Sequence, residues 1–286
     1  GSAADNCLDG PDRQAHGGMP FVAWYLQQVC ANPLPGGARV VDVLDLHYYP
    51  QGANVALSDD DSPDTAARRL RSLKELYDAA WVSESWISDL GDGPYHYDKP
   101  NLIPRARAWI DQYCPGTKLA ITEYNWGNDD TTSGAVAQAE LFGIFAREGV
   151  DLATRWVAPE ANTRVERAYT LFLDYDGAGS KVDGASAAAT SADVDTIGAY
   201  AFAATGGRTI VLLTNKDAAS HDAAITFADA HAGGWRLFGF DGANPVHQIA
   251  SGTIAGASLT VSALPPISAS LLVIEGGDAI FGNGFD

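Results

Sequence analysis

Three apolar runs in this chain end on residues able to do chemistry. The first, over 40–47, closes on Asp45, His47, Tyr48 and Tyr49; the second, over 118–122, on Glu123, Tyr124, Asn125 and Trp126; the third, over 150–157, contains Arg155 and Trp156. Polar and aromatic side chains just after buried parallel strands are where β/α barrels assemble their active sites. A carboxylate there can attack or stabilise an anomeric carbon, and flat aromatic faces stack on sugar rings. The chemistry implied is cleavage of a glycosidic bond, with Glu123 as the candidate carboxylate. A strand-end glutamate in an arbitrary α/β domain is as often an ion-pair partner. Three polar-aromatic strand ends in one chain favour the catalytic reading.

Such strand ends need a sheet and helices to hold them. Apolar residues recur at helical spacing over 21–29, 65–77 (with Ser62 or Asp64 available as its cap), 103–113 and 134–148, the last stopping at Gly149. Between them, 40–47, 118–123 and 150–157 read as strands buried on both faces. This alternation predicts an α/β domain with a parallel sheet over 1–182. From about Asp183 the texture changes to short alternating runs at 196–202, 209–213, 223–227, 235–240, 258–262 and 269–274, separated by Gly, Asn, Asp and Pro. That pattern predicts a β-sandwich over 183–275. Residues 276–286 fit neither pattern and are expected to be a flexible end or a sorting tag. Asp174-Tyr175-Asp176-Gly177 is rich in carboxylate and glycine, but lacks the alternating ligands of an EF-hand loop. A structural calcium is therefore unsupported, and a tight linker is expected there.

Charge narrows the partners. The formal net charge is -18, so phosphate backbones and anionic headgroups are repelled, whereas a neutral polysaccharide is indifferent to that field. Neither nucleic acid nor membrane is an expected partner, and no apolar run is long enough to span a bilayer. Of the cysteines Cys7, Cys30 and Cys114, two can form a disulfide with one left over, or one can pair outside the chain; spacing does not choose. The aromatic- and cysteine-bearing segments point to an extracellular protein, although this chain holds no signal peptide.

Leu44-Asp45-Leu46-His47-Tyr48-Tyr49-Pro50-Gln51 followed by Ile121-Thr122-Glu123-Tyr124-Asn125-Trp126-Gly127 resembles glycoside hydrolase family 44, the endoglucanases and xyloglucanases. Glu84-Ser85-Trp86-Ile87, Ala137-Gln138-Ala139-Glu140, Arg155-Trp156, Asp174-Tyr175-Asp176-Gly177 and Asn215-Lys216 agree with it in order. The resemblance implies a secreted bacterial-type enzyme with a (β/α)8 barrel and an attached β-sandwich. It would hydrolyse β-1,4-glucan or xyloglucan with retention and without a cofactor. By the same resemblance Glu123 matches the nucleophile. His47, Tyr49, Trp86, Tyr124, Asn125, Trp126 and Trp156 are expected to contact substrate. The family's acid/base sits in an Asn-Glu-Pro strand end, a tripeptide this chain lacks, and the stretch before His47 is too short for half an eight-unit barrel of about 250 residues. The chain is accordingly expected to represent the family's C-terminal portion, inactive by itself. Glu84 is a possible substitute acid, with lining the cleft as its plainer role. A carbohydrate-binding protein that has lost catalysis is the competing expectation.

Overall fold

The computed structural model describes residues 10–276. Strands β1 (Val43–Tyr48), β2 (Lys118–Tyr124) and β3 (Leu152–Ala153) form a parallel sheet in that order. The third strand is shorter than the expected 150–157. Beyond Ala153 the chain still follows β2, through Thr154 N to Ile121 O and Trp156 N to Tyr124 O (each 3.0 Å), but the regular ladder is lost. On one face Leu44, Leu119 and Ile121 enter a common core with the helices. These helices are α1 (Pro11–Ala15), α2 (Phe21–Ala31), α3 (Pro63–Arg71), α4 (Leu102–Tyr113), α5 (Thr132–Arg147) and α6 (Arg164–Leu173). α4 shows the logic: Ile103, Ala106 and Ile110 are buried on one stripe at the spacing of a 3.6-residue turn. The expected helix over 65–77 is split, with α3 tightening into a 3-10 turn at Ser72–Leu76. α6 was not foreseen, although Val165, Ala168 and Leu171 mark its buried stripe.

The other face of the parallel sheet is open. Along β1 exposed and covered residues alternate, with Val43 and Leu152 43% and 53% exposed. Parallel sheets ordinarily have both faces covered.

Strands β4 (Ala185–Ala187), β5 (Ile197–Ala203), β6 (Thr209–Asn215), β7 (His221–Phe240), β8 (His247–Leu264) and β9 (Ser268–Ile274) form one antiparallel sheet, ordered β4-β5-β6-β9-β7-β8. The runs at 223–227 and 235–240, expected as separate strands, are the two ends of β7. The register shifts between Thr226 and His231, and the glycines that follow, Gly233 and Gly234, stay paired with Ile254 and Thr253 of β8 instead of turning back. β7 pairs with β8 along much of its length but with β9 only from Trp235 to Phe240. Its free half returns over the sheet, so that Val211 and Leu213 of β6 share a second core with Ala223, Val261 and Leu264. The opposite face, including Tyr200, Phe202, Ile210 and Leu212, joins the main core. Helix α5 lies between the two sheets, buried on nearly all sides. Its small residues permit this: a Cβ on Gly143 would stand 2.5 Å from the Tyr200 ring.

Cys30 and Cys114 form a disulfide, Cα–Cα 5.5 Å, which joins the ends of α2 and α4 across 84 residues of sequence. Cys7 and the tail 277–286 lie outside the described residues. Chain-entropy reasoning for a loop of that size gives about 4.5 kcal/mol, and measured disulfides typically contribute about 2–4 kcal/mol. The Cys30→Ser/Cys114→Ser variant is expected to lose stability in that range by urea denaturation, and reductant should bring the wild type to the same midpoint. Equal midpoints for the two oxidised proteins would show that the crosslink contributes nothing.

Candidate active site

A register shift between Leu46 and His47 sets His47 opposite Glu123. His47 Nδ1 then lies 3.4 Å from Glu123 Oε2, and the Tyr49 hydroxyl donates to the same oxygen at 3.0 Å. Burial, then the adjacent Glu123, raises the Tyr49 phenol above its ordinary value, which keeps it a donor. Glu123 is about one-third exposed (31%). Its Oε1 has no hydrogen-bond partner among the described residues. One oxygen is thus held and the other left open, the arrangement a carboxylate nucleophile needs. Behind them Asp45 accepts from Thr122 N (3.1 Å) and Thr122 Oγ1 (2.5 Å), with His47 Nε2 3.9 Å from its Oδ2. Asp45 ties β1 to β2 and flanks the imidazole.

Of the expected substrate contacts, His47, Tyr49, Trp86 and Trp156 lie on accessible surface beside these strand ends. Trp86 and Trp156 are 53% and 50% exposed. Trp86 Nε1 donates to Gln51 Oε1 (3.2 Å), and Gln51 Nε2 to Tyr49 O (2.7 Å), so Gln51, unassigned from sequence, ties one indole to the Glu123 cluster. Trp156 is joined to Val157 by a cis peptide.

Tyr124, Asn125 and Trp126 require correction. Strand alternation sends Tyr124 to the face opposite Glu123. It is buried, and its hydroxyl accepts from Gln138 Nε2 at 3.0 Å. Trp126 is buried against Tyr48, with ring centroids 5.8 Å apart and Nε1 donating to Ser72 Oγ. Asn125 is a buried brace: Oδ1 accepts from Leu57 N and Gly127 N, and Nδ2 donates to Trp156 O. Arg155 is likewise occupied, by Asp129 at 2.9 Å and Gly127 O at 3.0 Å. Glu84, considered as a substitute acid, accepts from Arg71 on both oxygens (3.1 and 3.0 Å). That bidentate pair makes it an ion-pair partner rather than a proton donor.

Glu75 was missed by the sequence reading. Buried beneath the site, it accepts from the Tyr48 hydroxyl (2.7 Å) and from Ser83 Oγ (2.5 Å). Ser83 contacts Ser85 at 2.8 Å, and Ser85 caps the 3-10 turn Trp86–Leu90. One buried carboxylate therefore couples the end of β1 to the turn that carries Trp86. Burial pushes the Glu75 carboxyl above its ordinary value of 4.5, against the opposing effect of its two hydroxyl donors. An acid with a raised folded pKa binds its proton more tightly when folded. Its contribution is full below the unfolded pKa and is lost as pH rises through the folded one. Glu75→Gln, whose amide still meets rotatable hydroxyls, is expected to gain stability relative to wild type as pH rises from 4 to 7. Parallel pH–stability curves for the two proteins would contradict this.

Two cavities among the described residues bear on the site. One, about 310 Å³, lies beside Trp156. The other, about 1950 Å³, runs along the β part between the Ala199–Ala201–Val211 face and the free half of β7. Its size does not make it the reacting site, because Glu123 is not among its walls. No cluster of His, Cys, Asp or Glu suited to a metal ion occurs among the described residues. Asp174 and Asp176 instead accept backbone N–H groups of their own turn.

The sequence profile of glycoside hydrolase family 44 matches residues 1–52. Endoglucanase A of Paenibacillus lautus is 31% identical over 265 residues, 89% of this chain and 37% of that protein. The solved structure of CelM2, a bifunctional glucanase-xylanase protein from a metagenome library, superposes with a TM-score of 0.85 at 36% identity, covering 94% of this chain and 50% of that one. The solved structure of a Paenibacillus polymyxa xyloglucanase from glycoside hydrolase family 44 superposes with a TM-score of 0.81 at 27% identity, over 94% of this chain and 54% of that one.

 With xyloglucan bound, that enzyme superposes at a TM-score of 0.82. The chain spans about half the length of these solved enzymes and little more than a third of the Paenibacillus lautus protein. In sequence and in fold, the chain resembles glycoside hydrolase family 44 over about half the length of the solved enzymes it matches.

Proposed function

We propose that the chain is the nucleophile-bearing portion of a secreted, retaining endo-β-1,4-glucanase or xyloglucanase. Residues 1–182 would form part of a (β/α)8 barrel and 183–275 a β-sandwich domain. The observation that carries the reading is the state of Glu123: one oxygen held by Tyr49 and His47, the other open at the C-terminal end of a parallel strand. Retention requires a second carboxyl group roughly 5–5.5 Å away as acid/base. With Glu84 engaged by Arg71, we assign that acid/base to a segment outside this chain, on strands that would cover the open face bearing Val43 and Leu152. The disulfide supports an oxidising, extracellular setting. The relatives' glucan, xylan and xyloglucan activities support a neutral β-linked polysaccharide as substrate.

An activated glycoside tests the nucleophile without the missing acid. A 2,4-dinitrophenyl 2-deoxy-2-fluoro-β-cellobioside has a leaving group that needs no protonation. Glu123 Oε1 forms the bond to C1 as the C1–O bond breaks and dinitrophenolate departs with the electron pair. The fluorine slows hydrolysis of the product, so mass spectrometry should find the sugar on the peptide containing Glu123. A label on another carboxylate would overturn the assignment. Xyloglucan turnover by this chain alone would instead place the acid/base within it.

A further inference from the structure

We propose that Asp45 is a positioning residue for the displacement step, acting on Glu123 through Thr122 and His47. This rests on the reading of Glu123 as nucleophile and concerns what turns that side chain toward the open face of the sheet.

Side chains alternate along a strand, and Leu119 and Ile121 of β2 enter the main core. Unbroken alternation would send Glu123 into that core with them. The register prevents it. Leu46 pairs with Ile121 and His47 with Glu123, so Thr122 is an extra residue on β2 with no partner on β1. Such an insertion re-aims the side chains that follow it. Glu123 turns to the open face, where Asp45 and His47 stand 43% and 50% exposed, and Tyr124 turns inward.

An extra residue interrupts the ladder, and its backbone groups must find partners elsewhere. Asp45 supplies the first: Oδ1 accepts from Thr122 N at 3.1 Å, while Oδ2 accepts from Thr122 Oγ1 at 2.5 Å. On the other side Thr122 O accepts from Thr154 Oγ1 at 2.5 Å. With its proton donated to Asp45, the Thr122 hydroxyl keeps a lone pair for His47 Nε2 at 3.4 Å. The bond made by one imidazole nitrogen orients the other, and Nδ1 faces Glu123 Oε2 at 3.4 Å. Asp45 therefore secures both parts of the arrangement. It holds the insertion that turns Glu123 outward, and it fixes the ring that, with Tyr49, engages Oε2 and leaves Oε1 open.

In the step itself Glu123 Oε1 bonds to C1 as the C1–O bond breaks and dinitrophenolate departs with the electron pair. Asp45→Ala and Thr122→Val would be assayed on 2,4-dinitrophenyl β-cellobioside in two backgrounds, wild type and Glu123→Ala supplied with azide. Thr122→Val keeps the backbone donor to Asp45 and removes only the hydroxyl, so it tests the link even if Asp45→Ala fails to fold. In the wild-type background kcat/KM is expected to fall about 30-fold for Asp45→Ala and about 5-fold for Thr122→Val, inside the roughly 10²-fold that a 1 Å misplacement can cost. With azide as nucleophile no carboxylate remains to be turned, so each substitution should then cost less than about 2-fold, a coupling that general damage to the sheet would not produce. Equal losses in the two backgrounds, or wild-type kcat/KM for both variants, would overturn the role of Asp45. The fluorinated cellobioside keeps the two readings apart. Labelling of Glu123 at the wild-type rate in both variants sinks the positioning role alone, whereas a label on another carboxylate sinks the nucleophile reading and this one with it.

Discussion

Glu123→Ala is expected to lower turnover of 2,4-dinitrophenyl β-cellobioside by at least about 10³-fold, or about 4 kcal/mol of transition-state stabilisation at 1.36 kcal/mol per decade. The size follows from the part assigned to Glu123. It supplies the electron pair that displaces the leaving group, and with an activated leaving group no other protein function is required for that step. Alanine removes the pair and leaves a space the size of a carboxylate between Tyr49 and His47. Azide fits such a space. Added azide should restore turnover and give the α-glycosyl azide, since its nitrogen attacks C1 from the side Glu123 occupied while dinitrophenolate leaves. A β-azide, or no rescue with the fold intact by circular dichroism, would remove Glu123 from the nucleophile's place. Glu123→Gln should lose turnover equally and resist rescue, because the amide still fills the space.

The site was legible wherever it depends on strand alternation read from the polar end. Glu123, His47 and Tyr49 were found because a carboxylate and aromatics directly follow apolar runs, and the sheet brings them within hydrogen-bonding distance. The same proximity misled at Tyr124 and Trp126. Tyr124 follows the candidate carboxylate on β2 and faces the other way, and Trp126 lies beyond the strand's end, so closeness in sequence predicted contact where geometry gives burial. Glu75 and Gln51 were invisible for a different reason. Each acts through a partner remote in sequence: Ser83 and Tyr48 for one, Trp86 for the other. No local pattern distinguishes them from any surface acid or amide. In the fold, the alternation of helix and strand revealed the parallel sheet. The merging of two expected strands into β7 depended on Gly233 and Gly234 staying in the β7–β8 ladder rather than turning, which their composition does not decide.

Helix α5 carries the clearest case of a residue whose role tertiary structure alone reveals. On sequence Glu140 reads as a surface or salt-bridge acid of an amphipathic helix, yet it is fully buried. It accepts from Tyr200 OH (3.0 Å), Thr214 Oγ1 (2.9 Å) and Lys216 Nζ (3.0 Å), donors that all belong to the antiparallel part. Gly198 leaves room for it: a Cβ there would stand 2.7 Å from Glu140 Oε1. This carboxylate therefore locks the second sheet to the helix that packs behind the first. Lys216→Met keeps the volume but strands the carboxylate without its countercharge, and breaking a buried pair from one side costs about 3–5 kcal/mol. Adding Glu140→Gln should recover much of that loss: one hydroxyl still donates to the amide oxygen, the other turns to accept from the amide N–H, and no charge remains to be solvated. Glu140→Leu with Lys216→Met should recover less, since the Tyr200 and Thr214 hydroxyls then lose their acceptor at about 1–3 kcal/mol each. Urea denaturation of the set at pH 7 orders the variants. A Lys216→Met protein within about 1 kcal/mol of wild type would mean that Glu140 takes a proton or water instead, and that the two sheets are joined by apolar packing alone.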